Sequence, residues 1–387
     1  MPPLRVLSIF GTRPEAVKMA PVVLKLSQTP GVESKVVVTA QHRQMLDQVL
    51  NLFGITPDID LNLMRPDQSL PDLTAAIFTH LDPVFKKLKP DWVLAQGDTT
   101  TVMSTALLAY YNRLRFGHVE AGLRTGDKWQ PFPEEVNRMV AGVIADLHFA
   151  PTEWSRQNLL KENIPAGRIV VTGNPVIDAL HYVLRQPPSS EALALLQQIG
   201  LPAHDSAGSE PPGTPAAPWL VMVTAHRREN FGQPLENICA ALRSLAETYG
   251  NGIRIVYPVH LNPNVQAPVY RLLKNVPNIT LLPPLDYLPL MTLVKRARLM
   301  LTDSGGLQEE APGLGVPVLV MREVTERPEG IAAGTVRLVG TDPDRIITEA
   351  RRLLDDPQAH AAMSRAVNPY GDGHAAERIV DALLKAG

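Results

Sequence analysis

Short apolar runs rich in β-forming residues alternate with helical stretches along the whole chain. In the first half these runs lie at 4–10, 35–40, 90–98, 115–119, 147–151 and 169–173. The second half repeats the pattern at 219–224, 254–258, 279–282, 299–301, 316–321 and 336–339. Strands that alternate with helices form βαβ units, whose strands lie parallel in one sheet. The sequence therefore predicts an α/β protein with two Rossmann-like α/β/α domains.

The length of the chain also favours two domains, because 387 residues exceed what one hydrophobic core usually serves. We place the N-terminal Rossmann-like domain at 1–178 and the C-terminal one at 179–365. Residues 366–387 are expected to form a helix that packs back on the N-terminal domain. The segment 202–218, rich in Pro, Ala, Gly and Ser, is interpreted as a flexible insertion.

Three acidic residues of the first half lie at ends of predicted elements. Asp98 and Glu120 each follow a short apolar run, and Glu134 opens a helix predicted over 134–147. Ligands of an open parallel sheet bind beyond the carboxyl ends of its strands, where acids can transfer protons. The ordinary alternative is helix capping, because Asp is a common cap and acids are favoured in a first helical turn. The repetition on successive elements favours an active site.

Two turns between a strand and a helix combine glycine with polar residues. In the first, Gly11 is followed by Arg13 and, on the next turn of the helix, by Lys18. Backbone N–H groups at a helix start attract anions, but a solvated helix start explains this turn equally well. It is not a dinucleotide fingerprint, because no GxGxxG follows the strand.

The second turn, Ser304-Gly305-Gly306, is the stronger anion signal. Its glycines let the backbone approach a ligand closely, and the helix start supplies N–H donors. Glu310, on the helix that follows, could accept hydrogen bonds from a ribose diol. The alternative interpretation is a simple turn with a serine cap.

Other strand ends of the second half carry aromatic and basic side chains. His226 and Arg227 follow one strand, and His260 and Tyr287 follow the next two. A lone histidine is more often structural, but His226 has arginine neighbours at a crevice position. Two domains that present such strand ends can face each other across a cleft.

Composition restricts the partners and cofactors. The formal net charge of -2 argues against nucleic acid or an anionic membrane as the main partner. Cys239 is the single cysteine, so no intramolecular disulfide is expected. The chain has no HExxH motif or carboxylate cluster of metal-binding spacing, so no metal is expected. It has no signal peptide and no apolar run near the ~20 residues that span a bilayer, which indicates a soluble cytoplasmic protein.

Seven motifs together resemble those of the bacterial non-hydrolysing UDP-N-acetylglucosamine 2-epimerases. From about Arg5 to the final helix they occur in the family's order: GTRPEAVKMAP, QGDTTT, HVEAGLRT, PFPEEVNR, TAHRREN, TDSGGLQEEAP and VTERPEG. The resemblance implies a fold like that of the GT-B glycosyltransferases, with the UDP-sugar in the interdomain cleft and UDP on the C-terminal domain. It also implies a homodimer and no redox cofactor.

The resemblance assigns roles to individual residues. It implies catalytic roles for Asp98, Glu120, Glu134 and His226. Binding of UDP is implied for Arg13, Lys18, Arg138, His226, Tyr287, Ser304, Gly305, Gly306 and Glu310. A second, activating UDP-GlcNAc site is implied at Gln41, His42, Gln44, Arg227 and His260.

The chemistry of that family explains the choice of residue types. Its members invert C2 of UDP-GlcNAc by eliminating UDP to 2-acetamidoglucal and adding it back, which supplies UDP-ManNAc for cell-surface polysaccharide. Protonation on opposite faces needs at least two carboxyl groups in different protonation states. The competing hypotheses are a GT-B type UDP-sugar glycosyltransferase, a hydrolysing epimerase and an inactive UDP-sugar sensor.

Overall fold

The chain divides into two units. The computed structural model describes residues 2–39, 43–63, 65, 68–201 and 218–386, with the backbone alone for 43–45. One unit, here called the N-terminal unit, comprises Met1–Tyr182 and Tyr370–Gly387, and the C-terminal unit comprises Val183–Pro369. Residues 202–217, all but the last of the predicted insertion, lie outside the described residues.

The N-terminal unit is built on a parallel sheet of seven strands in the order β3-β2-β1-β4-β5-β6-β7. The strands are β1 (Leu4–Phe10), β2 (Val32–Val38), β3 (Ile59–Asp60), β4 (Trp92–Gln96), β5 (Arg115–Val119), β6 (Leu147–Ala150) and β7 (Ile169–Val171). The helices are α1 (Arg13–Ser27), α2 (Arg43–Phe53), α3 (Leu70–Leu88), α4 (Thr100–Tyr111), α5 (Glu134–Ile144), α6 (Glu153–Lys161) and α7 (Pro175–Leu184). Helix α7 carries the chain across the division between the units.

The C-terminal unit has a parallel sheet of six strands in the order β10-β9-β8-β11-β12-β13. The strands are β8 (Trp219–Thr224), β9 (Ile253–Pro258), β10 (Ile279–Leu282), β11 (Leu299–Thr302), β12 (Val318–Val320) and β13 (Val336–Leu338). The helices are α8 (Ser190–Gln198), α9 (Gln233–Tyr249), α10 (Pro263–Leu273), α11 (Tyr287–Lys295), α12 (Leu307–Gly313), α13 (Pro328–Ala332), α14 (Pro343–Asp355) and α15 (Pro357–Ser364).

The last helix, α16 (Ala375–Ala386), belongs to the N-terminal unit and packs against α1. Its buried residues include Ile379, Val380 and Leu383. The carboxylate of Asp178 caps its first turn by accepting from the N–H groups of Ala375 at 3.1 Å and Ala376 at 2.9 Å. The apolar face and the cap together fix the returning end of the chain on this unit.

The strand order of each sheet reverses at one point, which marks where ligands bind. In the N-terminal unit β1 pairs with β2 on one side and β4 on the other, and in the C-terminal unit β8 lies between β9 and β11. Open parallel sheets hold ligands beyond the carboxyl ends of the strands at this reversal. The turns there begin at Gly11, Gly97, Ala225 and Asp303.

The prediction of two α/β units with parallel sheets is confirmed. The inner strands β4 and β11 are buried along their whole length, as continuous apolar runs require when helices cover both faces of a sheet. Some predicted bounds were wrong. The strand expected at 35–40 is Val32–Val38, and the helix expected over 134–147 ends at Ile144, because Ala145 is extended (ψ 133°) and Leu147 already begins β6. In the part of the chain that the structure describes, no helix is both long and apolar enough to cross a bilayer.

Candidate active site

Glu120 lies directly after β5 in an unusual backbone conformation. Its φ is +63°, a left-handed value that an L-residue with a long side chain rarely adopts. The side chain is buried, and its carboxylate accepts from Lys18 on α1, Gln96 at the end of β4 and Asn174 just before α7. The Asn174 Nδ2 to Glu120 Oε1 distance is 2.8 Å. Strain held in place by three contacts is typical of a functional residue.

Asp98 lies on the neighbouring turn, after β4. One carboxylate oxygen, Oδ2, accepts from Nε and Nη2 of Arg138 at 3.0 and 2.6 Å. The preceding Gly97 has φ +86°, and a Cβ on it would lie 3.7 Å from Glu120 Oε2. The carboxylate of Glu120 therefore lies against the turn that carries Asp98, so the structure brings these two predicted acids to one edge of the sheet.

The turn after β1 binds a carboxylate side chain of the protein itself. The carboxylate of Glu15 accepts from the N–H groups of Gly11 at 2.9 Å and Thr12 at 2.7 Å. It also accepts from the hydroxyl of Thr99 at 2.5 Å, which ties this turn to the residue after Asp98. Burial raises the pKa of Glu15. These two N–H groups are therefore already hydrogen-bonded to Glu15, so they are not available to bind an external anion.

The remaining predicted residues of this unit lie at helix starts or in buried ion pairs. Arg13 and Glu134 are the first residues of α1 and α5. Lys18 and Arg138, predicted to bind UDP, are buried beside Glu120 and Asp98, and Arg138 also pairs with Glu135 at 3.1 Å. Their roles toward UDP stay predictions.

His118 on β5 connects this site to the sheet. Its Nε2 lies 2.7 Å from the carbonyl oxygen of Gly97, and the ring is buried. Burial lowers the pKa of His118 to about 4, so the ring is neutral near neutral pH. Because a carbonyl only accepts, the neutral ring carries its proton on Nε2 and fixes the turn before Asp98.

In the C-terminal unit, the buried carboxylate of Asp303 shapes the turn that carries His226. Its Oδ2 accepts from the backbone N–H groups of His226 and Arg227, both at 2.8 Å, and from Asn230 Nδ2 at 3.0 Å. The His226 ring lies with Nδ1 at 3.4 Å from Asp303 Oδ1. Burial lowers the pKa of His226, and Asp303 opposes this effect.

The Ser304-Gly305-Gly306 turn follows Asp303 and is packed against a buried arginine. A Cβ on Gly305 would lie 2.8 Å from Nη1 of Arg327, so a side chain there requires the guanidinium to move. Arg327 is held by ion pairs with Glu309 and Glu326, and Arg322 Nη1 binds Glu326 at 2.9 Å. Burial alone would raise the pKa of Glu326, but Arg327 and Arg322 hold it well below its usual range.

Glu310 and Tyr287 form a pair next to this turn. The Tyr287 hydroxyl donates to Glu310 Oε1 at 2.8 Å, and both side chains are buried. A Cβ on Gly306 would lie 3.3 Å from Glu310 Oε2. The structure thus brings four predicted UDP-binding residues together: Tyr287, Gly305, Gly306 and Glu310.

The residues predicted for a second UDP-GlcNAc site are only partly described. Gln41 and His42 lie outside the described residues, and for Gln44 the structure describes only its place in α2. The rings of His226 and His260 stack with centroids 5.4 Å apart, and Arg227 adjoins His226. Within the described residues, no group of three His, Cys, Asp or Glu side chains could hold a metal ion.

The sequence motifs predicted no individual role for several residues of this site. Glu15, Gln96, Asp303 and Arg327 lie inside motifs that were recognised, but each acts through contacts that the motif alone does not reveal. Asn174 lies in a GNP sequence outside those motifs.

The family model described as UDP-N-acetylglucosamine 2-epimerase matches residues 24–384. The chain belongs to this family. The UDP-N-acetylglucosamine 2-epimerase of Escherichia coli (strain K12) is 55% identical over 380 residues, which cover 98% of each chain. The predicted resemblance to the UDP-N-acetylglucosamine 2-epimerases is therefore confirmed.

Solved structures of this epimerase family share the fold. The UDP-GlcNAc 2-epimerase of Neisseria meningitidis bound to UDP-GlcNAc is 46% identical, with a TM-score of 0.90 over 98% of this chain and 100% of that one. The enzyme of Methanocaldococcus jannaschii in complex with UDP-GlcNAc and UDP is 30% identical, with a TM-score of 0.82 over 99% and 100%.

Proposed function

We propose that this protein interconverts UDP-GlcNAc and UDP-ManNAc without hydrolysis, by elimination and re-addition of UDP. The observation that carries the proposal is the pair of acids after the neighbouring strands β4 and β5 of the N-terminal unit. Asp98 and Glu120 each contact a buried cation, Arg138 and Lys18 respectively, and Glu120 lies against Gly97. Membership of the epimerase family supports the same substrate.

The pair of acids suits a two-step exchange of the C2 proton. In the first step a carboxylate takes the C2 proton, the C2–H electron pair forms the C1–C2 double bond, and UDP leaves with the C1–O pair. In the second step a carboxyl group returns a proton to the opposite face of C2 while UDP attacks C1. We assign these transfers to Asp98, Glu120 and Glu134, because proton transfer on two faces needs separately placed groups.

We assign UDP to the residues of the C-terminal unit around the Ser304 turn. Glu310, held by Tyr287, has carboxylate oxygens that suit a ribose diol, and the backbone of Gly305 and Gly306 suits the diphosphate. His226 would serve the leaving phosphate as a hydrogen-bond donor. Donors that gain strength as the C1–O bond breaks stabilise the transition state.

Proton NMR of the protein with UDP-GlcNAc in deuterated water, without added cofactor, tests this function. We expect UDP-ManNAc with deuterium at C2, which reports the conversion and the proton exchange together. Release of free ManNAc would instead indicate a hydrolysing enzyme. An unchanged spectrum from protein that binds UDP would indicate a transferase that lacks its acceptor, or a sensor, and would refute the proposal.

We also propose a homodimer that pairs through α5. Val136, Met139 and Val143 lie at helical spacing on this helix and are 40%, 47% and 82% exposed. A stripe of exposed apolar side chains on one helix is typical of an interaction surface. Light scattering should show a dimer that Val143→Asp converts to monomer, while Val367→Asp, at a site 84% exposed in the other unit, leaves it intact. A monomeric wild type refutes this.

A further inference from the structure

Asn174 forms hydrogen bonds with different parts of the N-terminal unit. Its Nδ2 donates to Glu120 Oε1 at 2.8 Å, and its Oδ1 accepts from the N–H of Val176 at 3.2 Å in the first turn of α7. Its backbone N–H donates to the carbonyl of Tyr370 at 2.7 Å. The side chain is 1% exposed, so its donor and acceptor ends are both held in place.

These bonds form part of a larger contact, here called the clasp, between residues 172–178 and 370–376. Gly173 and Gly371 meet closely: a Cβ on Gly173 would lie 3.3 Å from the Cα of Gly371. The Asp178 carboxylate caps the helix that follows, as described above. The clasp lies where the chain returns to this unit at Tyr370. Asn174 therefore joins the carboxylate of Glu120 to the returning chain at Tyr370.

We propose that Asn174 is a positioning residue that orients the carboxylate of Glu120 for proton transfer; this inference rests on the proposed epimerase function. Lys18 contacts the same oxygen, but an ammonium has three equivalent N–H donors and so fixes the direction of a carboxylate less than a planar amide does. The amide of Gln96 contacts the other oxygen, Oε2, so Asn174 is the amide that orients Oε1. The amide of Asn174 is planar and is fixed at its other end by Val176, so it defines a direction. Glu120 needs such support because its own backbone is left-handed.

The first test is Asn174→Ser. Serine still caps α7, but its shorter side chain cannot reach Glu120. We expect kcat to fall about 10- to 100-fold, the effect of losing one hydrogen bond to a charged group, with the KM for UDP-GlcNAc and the affinity for UDP nearly unchanged. The matched control is Asn158→Ser, which removes an amide that donates to the carbonyl of Gly122 at 3.0 Å and should leave kcat unchanged.

A second variant, Asn174→Asp, adds the pH dependence of activity as a readout, which a purely structural role of this residue would not change. The charged and titratable groups around Glu120 and the clasp are Lys18 on α1, Asp98 after β4, His118 on β5, Asp178 on α7 and Arg378 on α16, which donates to the carbonyl of Thr172 at 3.0 Å. They are present in both proteins, so taking the ratio of variant to wild-type activity removes the part of the pH dependence that the two proteins share. An ionised carboxylate cannot donate to Glu120, whereas a protonated one can. We expect the ratio to rise as the pH falls.

The outcomes separate this inference from the proposed function. If the wild type forms no UDP-ManNAc, the proposed function fails. If the wild type is active and a folded, UDP-binding Asn174→Ser protein keeps full kcat, only the role of Asn174 is refuted. A parallel loss of kcat, UDP affinity and thermal stability would also overturn it, because the residue would then be structural. A pH-independent activity ratio for Asn174→Asp counts against it in the same way.

Discussion

His118 should make the N-terminal unit lose stability as the solution becomes acidic. The ring is buried on β5, and its Nε2–H donates to the Gly97 carbonyl at 2.7 Å. Protonation would place a charge in the core of the unit, beside the turn that carries Asp98. Burial therefore lowers the pKa of His118 from 6.5 to about 4 in the folded protein.

The size of the effect follows from the two pKa values. Because the folded value is the lower one, the unfolded chain binds more protons at acidic pH, and stability falls as the pH falls. The contribution of His118 is complete above a pH of about 6.5 and is lost as the pH falls towards about 4. One pKa unit corresponds to about 1.4 kcal/mol, so lowering the pH from about 7 to about 5 should remove about 2 kcal/mol of unfolding free energy.

The variant His118→Gln isolates this contribution, because its amide can still donate to Gly97 but does not titrate. Hydrogen exchange of peptides that cover β4 and β5, corrected for intrinsic rates, gives the opening free energy of this unit alone at each pH. The wild type should lose about 2 kcal/mol more than the variant between the two pH values. His80→Gln, on the exposed side of α3, is the control and should behave like the wild type. Equal losses in His118→Gln and wild type would refute the reasoning.

Two further substitutions test the two halves of the site. Asp98→Asn should abolish turnover and leave UDP affinity unchanged, because the amide oxygen can still accept from Arg138. Titration calorimetry measures the affinity, and the NMR assay measures turnover. Loss of folding in this variant would make Asp98 structural. Gly305→Ala should weaken UDP binding about tenfold by displacing Arg327. The control is Gly252→Ala, which should leave UDP binding unchanged because no heavy atom lies within 4 Å of the new methyl group. Unchanged affinity in Gly305→Ala would remove this turn from the site.

Strands were easier to predict from the sequence than helices. The bounds of β1, β8 and β10 agree with the prediction to the residue, because a buried parallel strand is a continuous apolar run that ends abruptly. Helix α10 was not predicted, since Pro268 lies inside it and proline usually ends a helix. The helix tolerates this proline because its buried face, which includes Val265, packs into the core of the C-terminal unit.

The location of the site could be predicted, but the contacts that organise it could not. Polar residues at strand ends meet at the reversal of a parallel sheet, which is a rule of topology. The partners of Glu120 follow no such rule: Lys18 is 102 positions away in sequence and Asn174 is 54. Which of many buried polar side chains meets a given carboxylate depends on packing, and packing depends on the whole fold.

The turn after β1 shows how a local signal can decide between two functions. A glycine turn before a helix predicts either an anion site or an ordinary helix start, and the sequence pattern alone does not distinguish them. The deciding residue is Glu15, three positions after Thr12, because an acid at this spacing reaches back to the N–H groups of the turn. Since these two N–H groups are already satisfied, they do not bind an external anion. The backbone donors proposed for a diphosphate are therefore those of Gly305 and Gly306 in the second turn, where Arg327 packs against Gly305.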